Sequence, residues 1–426
     1  MDITLGEKIK LIRTEKKISL RNMAQAIKIS KTLASYIENG QRECDTKTLA
    51  AIRNFLEIND APLLEHEREL YIARLWIWDD TLSADRIAEA AAMQKELAPI
   101  QALPYEHELL FTYAILEARL LIKQMNSDAA CEKIASVEAY KDIADNRALK
   151  IYHQCKSVIY MQKSQSAEAL EQLHRVLALS DSQKPDSRVT STIGVVYYTM
   201  GNYYRAINYL ERAIVEDTGS KVSALNITNM AFLVNCYIGI GEYDKARKLN
   251  DEAIRDLHCI ESYADLLPYV MFSKGELYRH EGNWIEAIAV YDEILTYHKD
   301  DNLHSIVNTR VHAAYSKAIV LTKLKRLDEA QDTIDQARLL AKDNRELTIK
   351  VDSIYHLVNI GNPESAAYLE EVSIPCLRAL GGLYKYDAIG ICRELEAHYQ
   401  KKRSKVKALT MACVIRDIQD ELFLNR

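Results

Sequence analysis

Proline and glycine are scarce. The chain of 426 residues has 7 of the first and 13 of the second, against average usage of about 5% and 7%. Both interrupt helices, and sheets need turn residues at their many corners, so the shortage argues against an all-β design and points to long helices joined by short loops. No run approaches the ~18 uninterrupted apolar residues of a membrane span. No basic start followed by an apolar segment marks a secretory signal, so a cytoplasmic chain without membrane association is expected. The eight cysteines, at 44, 131, 155, 236, 259, 376, 392 and 413, include no C-x-x-C pair. So scattered, they read as reduced, mostly buried thiols and not as a disulfide framework or zinc knuckle. The HExxH motif, a phosphate-cradling glycine loop and GxSxG are all absent. Glu276 and His280 stand one helical turn apart, but no third member accompanies them, and such pairs are common on solvated helices. These absences lead us to expect no metal, no cofactor and no enzyme.

What the chain does have begins with uneven charge. The formal net charge is −6. Residues 1–57 hold 11 Lys/Arg against 7 Asp/Glu, which leaves 44 against 54 for the rest. A small basic head on an acidic body suits a nucleic-acid binder. In the head, Thr4 and Glu7 stand at capping-box spacing before a helix of about 4–17, with Leu5, Ile9 and Ile12 as its apolar stripe. Ser19 is placed to cap a second helix near 20–27, and Ser30 a third that runs to Asn39 and ends at Gly40. A fourth spans roughly 47–56. The tight connection at Lys28–Ile29 makes helices two and three a helix-turn-helix, whose second helix enters the DNA major groove. Lys31, Thr32, Ser35 and Tyr36 are its candidate base or phosphate contacts, with Lys28 in the turn and Arg42 as a backbone clamp.

The run from Ile18 to Arg42 resembles the DNA-binding domain of phage repressors and their bacterial relatives, the Xre type. The resemblance is carried by Met23-Ala24 and by ISKTLASYIENGQR at 29–42. It implies DNA binding and implies that Arg13 of the first helix pairs with Glu38. Two positions depart from the pattern: Leu20 stands where Gln is usual, and Lys28 where Gly is usual. If that turn needs a left-handed residue, Lys28 must adopt it at a cost of about 1 kcal/mol.

Beyond a short hinge at 59–66, repetition dominates. Gly201–Ala206 (GNYYRA) is echoed by Gly241–Ala246 (GEYDKA) and Gly282–Ala287 (GNWIEA), with weaker copies ending at Ala130, Ala169, Ala330 and Ala366. The alanine spacings are 39, 37, 40, 41, 43 and 36. In each unit a small residue permits a tight turn, and the alanine lets two helices approach closely. Another small position lies twelve residues upstream (Ser157, Gly194, Gly275, Ala318), and a tyrosine three further on (Tyr160, Tyr197, Tyr237, Tyr278). Helix pairs repeated in this way cannot bury their apolar faces singly and stack. The pattern resembles tetratricopeptide repeats lengthened by about a helical turn. The expected fold is all-α: a helix-turn-helix domain (1–58), the hinge, a right-handed α-superhelix of such hairpins (67–380), and C-terminal capping helices that also suit dimerisation (381–426).

In such a stack the first helix of each pair lines the inner surface. Counting from the small and tyrosine positions places Gln154, Arg188, Tyr198, Asn235, Tyr269, Glu276, Arg279, Asn308, His312 and Tyr315 inward, with Asn229 near the same rim. Asparagines suit the main chain of an extended peptide, aromatics supply pockets, and Arg188 or Arg279 suits a carboxylate. An Xre-like head on repeats of this long type resembles the Rap–Rgg–NprR–PlcR–PrgX superfamily of cell-to-cell signalling regulators, nearest to its NprR-like branch. The resemblance implies a homodimeric, cytoplasmic transcription regulator of double-stranded DNA, switched by a short quorum-sensing peptide gripped by asparagines, best matched here by Asn235 and Asn308. It leaves a second reading open, a repeat protein that binds a response regulator or phosphorelay protein, alone or in addition to DNA.

Overall fold

The computed structural model describes residues 5–424, except 43, 57–62, 64, 85, 104–105, 181–185, 218–221, 261–262, 298–303, 342–343 and 381. The Thr4–Glu7 capping box, and all of the 59–66 hinge but 63, 65 and 66, therefore lie outside the described residues. Every element among them is helical, as the shortage of Gly and Pro requires. The chain divides into two compact units, residues 1–159 and 160–426.

The first unit opens with α1 (Leu5–Glu15), α2 (Leu20–Ala26), α3 (Lys31–Glu38) and α4 (Thr46–Leu56). Ser19 and Ser30 cap α2 and α3, their hydroxyls accepting from the Asn22 and Leu33 amides at 3.1 and 3.0 Å. Ile9, Met23, Ala24, Ala34, Ile37, Leu49, Ile52 and Leu56 form the head's core. Arg13 and Glu38 make a two-pronged ion pair, Nε to Oε1 at 2.6 Å and Nη2 to Oε2 at 2.8 Å, and Arg13 Nη1 also donates to the Ile18 carbonyl at 2.8 Å. Lys28 sits in the left-handed region at φ +59°, the conformation for which glycine is usual at this turn. Lys28→Gly is accordingly expected to stabilise the head by about 1 kcal/mol, read as a higher urea midpoint with an unchanged slope. The unit continues with α5 (Glu65–Ser83), α6 (Ile87–Leu97), α7 (His107–Lys123) and α8 (Ser127–Val137), and the division at Ile159 falls within α9 (Asn146–Gln162). Trp78, Phe111, Tyr113 and Tyr152 fill its second core.

The second unit is a run of antiparallel hairpins: α10 (Ser166–Ala178), α11 (Ser187–Thr199), α12 (Tyr203–Glu216), α13 (Ala224–Gly239), α14 (Tyr243–Leu257), α15 (Tyr263–Glu281), α16 (Trp284–Thr296), α17 (His304–Lys323), α18 (Leu327–Ala341), α19 (Arg345–Val358), α20 (Pro363–Tyr368), α21 (Ile374–Leu380), α22 (Tyr384–Lys401) and α23 (Lys405–Leu424). Six of the repeat units share one backbone device. Met125, Ser164, Gly201, Gly241, Gly282 and Lys325 all have φ between +57° and +83°, each five residues before a repeat alanine. The next amide then bonds back to the carbonyl at the tyrosine position, as Asn202 does to Tyr197 and Asn283 to Tyr278, both at 2.9 Å. This is the Schellman closure of a helix end. The alanines at 130, 169, 206, 246, 287 and 330 are fully buried. A side chain on Gly275 would sit 2.5 Å from the Tyr291 ring, and one on Gly194 would sit 2.7 Å from Leu210, which is why these upstream positions are small.

Two details differ from the sequence reading. The Ala366 unit lacks the left-handed turn and starts on Pro363, followed by a π-helical turn at Leu369–Ser373. The last pair, α22–α23, has the full device instead, with Arg403 at φ +58° five residues before buried Ala408. The cysteines also depart from expectation. None is in a disulfide, but only Cys155, Cys236 and Cys392 are buried, and Cys259 is exposed.

Candidate functional site

The helical repeat carries side chains at i, i+3, i+4 and i+7 to one face. In the second unit those faces of α11, α13, α15 and α17 border a cavity of about 1310 Å³. Its walls take Tyr198 from α11, Thr228, Ala231, Phe232 and Asn235 from α13, Tyr269, Phe272, Ser273, Glu276, Arg279 and His280 from α15, and Thr309, His312, Tyr315, Ser316, Ile319 and Lys323 from α17. The lining continues with Glu346 and Lys350 of α19 and with Tyr384, Tyr386, Asp387, Arg393 and Glu394 of α22.

The polar groups are held in pairs. Arg279 grips Glu276 through Nε and Nη2, the latter at 2.5 Å, and Tyr291 donates to Glu276 Oε1 at 2.7 Å. Burial would raise the Glu276 carboxyl, but the Arg279 charge and hydrogen bonds from Arg279, Ser316 and Tyr291 outweigh it and hold it down to about 2. Burial, with the Lys350 charge adding to it, pushes the His312 ring down to about 3, so it is neutral at physiological pH. Arg279 Nη2 lies 2.9 Å from His280 Nε2; since arginine only donates, that nitrogen accepts. Lys350 pairs with Asp387 at 3.0 Å and stands 4.3 Å over the Tyr315 ring, while Tyr315 donates to Asp387 at 3.1 Å. The Asn235 amide is pinned by its donor side, Nδ2 giving to the Ala231 carbonyl and the Ser273 hydroxyl, both at 3.1 Å. Among the described residues its Oδ1 accepts no hydrogen bond.

Of the inward residues expected from sequence, Tyr198, Asn235, Tyr269, Glu276, Arg279, His312 and Tyr315 come together in this cavity. The others do not. Arg188 is exposed outside its lining, and Asn308 is half-buried outside it. Asn229 is fully buried with Oδ1 accepting from Ser191 at 2.5 Å, facing the helix contact and not the rim. Gln154 belongs to the first unit. Arg279 is in the wall, but its Nε and Nη2 are turned to Glu276 and its Nη2 also to His280. Sequence reasoning missed Lys350, Tyr384, Tyr386 and Asp387, because no periodic signal brings α19 and α22 against the earlier hairpins, and it missed Tyr203, which opens the second helix of its pair and not the first. In the head, Lys28, Lys31, Thr32, Tyr36 and Arg42 are exposed and Ser35 is half-buried, all on or beside α3.

A helix-turn-helix domain model matches residues 6–67, and a tetratricopeptide repeat model matches residues 191–214, the α11–α12 hairpin. A search of curated protein sequences finds no match. Among solved structures, a Rap protein complexed with Competence and Sporulation Factor superposes with a TM-score of 0.71 at 14% identity, over 84% of this chain and 100% of that one. The apo quorum sensor NprR from B. thuringiensis gives 0.65 at 18% identity, over 82% and 99%. The chain has the Rap and NprR fold. That fold overturns one expectation. Aspartyl phosphate phosphatase F from Bacillus subtilis shares it, with a TM-score of 0.53 at 11% identity over 82% of this chain and 94% of that one. The missing catalytic motifs therefore do not rule out an enzyme, since a phosphatase is built on the same helical hairpins. Among the described residues no helix is long and apolar enough to cross a membrane.

Proposed function

We propose that the chain is a transcription regulator that binds operator DNA through its helix-turn-helix heads as a homodimer and is switched by a short peptide held in the repeat cavity. The observation that carries this reading is the cavity wall itself. Rings from Tyr198, Phe232, Tyr269, Phe272 and Tyr315 border one space with the pinned Asn235 amide, a mixture that offers pockets to side chains and an acceptor to a main-chain N–H. NprR with its cognate peptide NprX has the same fold, with a TM-score of 0.64 at 18% identity, over 82% of this chain and 98% of that one. The head supports the DNA half, with five exposed candidate side chains around α3 and a matching helix-turn-helix model. Two heads in a dimer would address half-sites about one helical turn, ~34 Å, apart. The peptide acts only if it binds the two head arrangements with different affinity.

The test uses the full chain. Affinity selection from a pool of random hexapeptides, read by mass spectrometry, is expected to return a defined set, and selection from random duplex DNA a defined operator. Adding a selected peptide should then change operator affinity in a mobility-shift titration; equal affinity with and without it would end the switching claim. Asn235→Ala is expected to weaken the selected peptide by about 1 kcal/mol, roughly fivefold, without changing thermal stability by more than the loss of its two local hydrogen bonds. Unchanged peptide affinity would remove Asn235 from the site.

A further inference from the structure

The second unit fastens its last hairpin onto an early one. Thr199 ends α11, where a helix leaves carbonyls without intrahelical donors. Its carbonyl accepts from the Leu383 amide at 2.8 Å, across 184 positions of chain. Gly382 makes this approach possible on two counts: it has φ +47°, and a Cβ there would lie 1.9 Å from the Thr199 oxygen. Tyr386 stacks on Tyr203, centroids 6.1 Å apart, and covers Gly201, whose own missing Cβ would meet that ring at 2.8 Å. A second fastening lies beside it, where Glu346 accepts from Ser164 and from Tyr384, each at 3.2 Å.

These contacts stand at the border of the cavity, and Tyr203, Tyr384 and Tyr386 are part of its lining. They are few and partly solvated, three hydrogen bonds and one ring stack, with Tyr386 36% exposed. Contacts of that kind open locally at a fraction of the free energy of global unfolding. We infer that residues 382–387 are a clasp that narrows the cavity by gripping the α11–α12 turn, and that its release widens the way in for a peptide-sized ligand. The inference takes the peptide-binding reading for the identity of the ligand, but the clasp itself is tested without any peptide.

The reporter is Ile319→Cys, a half-buried position in the cavity wall, labelled in the full chain by a maleimide with a hexapeptide-sized poly(ethylene glycol) arm. Mapping of tryptic fragments separates it from the native cysteines. Adding Gly382→Ala or, separately, Tyr386→Ala is expected to speed labelling at 319 by about tenfold or more, while iodoacetamide, small enough to need less opening, gains less. Amide exchange should rise at 383–387 and 198–203 in both variants and stay unchanged in α17 and α18, which shows that the fold is kept. Equal maleimide rates in the parent and both variants overturn the clasp. Gated labelling with no hexapeptide selected would sink the peptide reading and keep the clasp; the reverse result would do the opposite. Tyr386→Ala removes a half-exposed ring only, so it remains informative if Gly382→Ala fails to fold.

Discussion

Glu38→Ala is expected to unfold the head and leave the rest of the chain folded. Glu38 is 3% exposed and Arg13 13%, so the substitution leaves a guanidinium in a nearly dry site without its carboxylate. Removing one partner of such a pair costs about 3–5 kcal/mol. A domain of some fifty residues buries little of its surface and has a margin of about that size. Limited proteolysis should therefore cut within residues 5–56 of the variant under conditions where the parent is intact, with helices from α5 onward protected in both. Loss of charge alone is not the cause. Arg13→Met combined with Glu38→Leu removes both charges and fills the same space, and it is expected to restore resistance, because a buried pair replaced as a whole is often neutral or stabilising. If Glu38→Ala resists protease as the parent does, the pair does not brace the head.

How far the sequence made this architecture legible follows from which forces act locally. Helix starts at Ser19 and Ser30 were readable because a hydroxyl beside its own helix end needs no distant partner. The repeat was readable because each alanine sits under a neighbouring helix and cannot grow. The C-terminal helices were read as a cap, and their place in the repeat was missed for a chemical reason: RSKVKA at 403–408 keeps the frame but lacks both the glycine and the aromatic. Arg403 takes the left-handed conformation all the same, as Met125, Ser164 and Lys325 do, so the turn demands a conformation and glycine is only its cheapest means. Half of the cavity was readable for the same local reason, since Asn235, Tyr269, Glu276 and His312 share one helical face register. Asn229 was misplaced by one step of that register, which turned it into the α11 contact. Tyr386, Asp387 and Lys350 were not readable at all. Their place depends on a closure between positions nearly two hundred residues apart, and no periodicity encodes it.

Glu276→Gln carries the largest expected effect in the second unit, and its signature is in the pH profile. The carboxylate is 13% exposed and Arg279 23%, so the variant leaves Arg279 with a neutral partner at a cost of about 3–5 kcal/mol. In the parent, the folded carboxyl titrates near 2 against a usual 4.5. A group lowered in this way contributes stability that is fully present above about pH 4.5 and is lost as pH falls toward 2, on the order of 3 kcal/mol in all. His312 acts in the same direction over a different window. Its ring is held neutral to about 3 against a usual 6.5, so acid that protonates the unfolded chain below pH 6.5 already draws stability away. Urea titrations from pH 7 to 2.5 should then show two limbs in the parent, one beginning below 6.5 and one below 4.5. Glu276→Gln should keep the first and lose the second, whereas His312→Gln should keep the second and only weaken the first, because burial also holds the His280 ring down to about 4. Adding Arg279→Met to Glu276→Gln should recover most of the neutral-pH loss, because no unpaired cation remains in the wall. A parent profile flat from pH 4.5 down to 2.5, or a Gln variant that keeps the lower limb, would show that the Glu276–Arg279 pair is not what fixes this wall of the cavity.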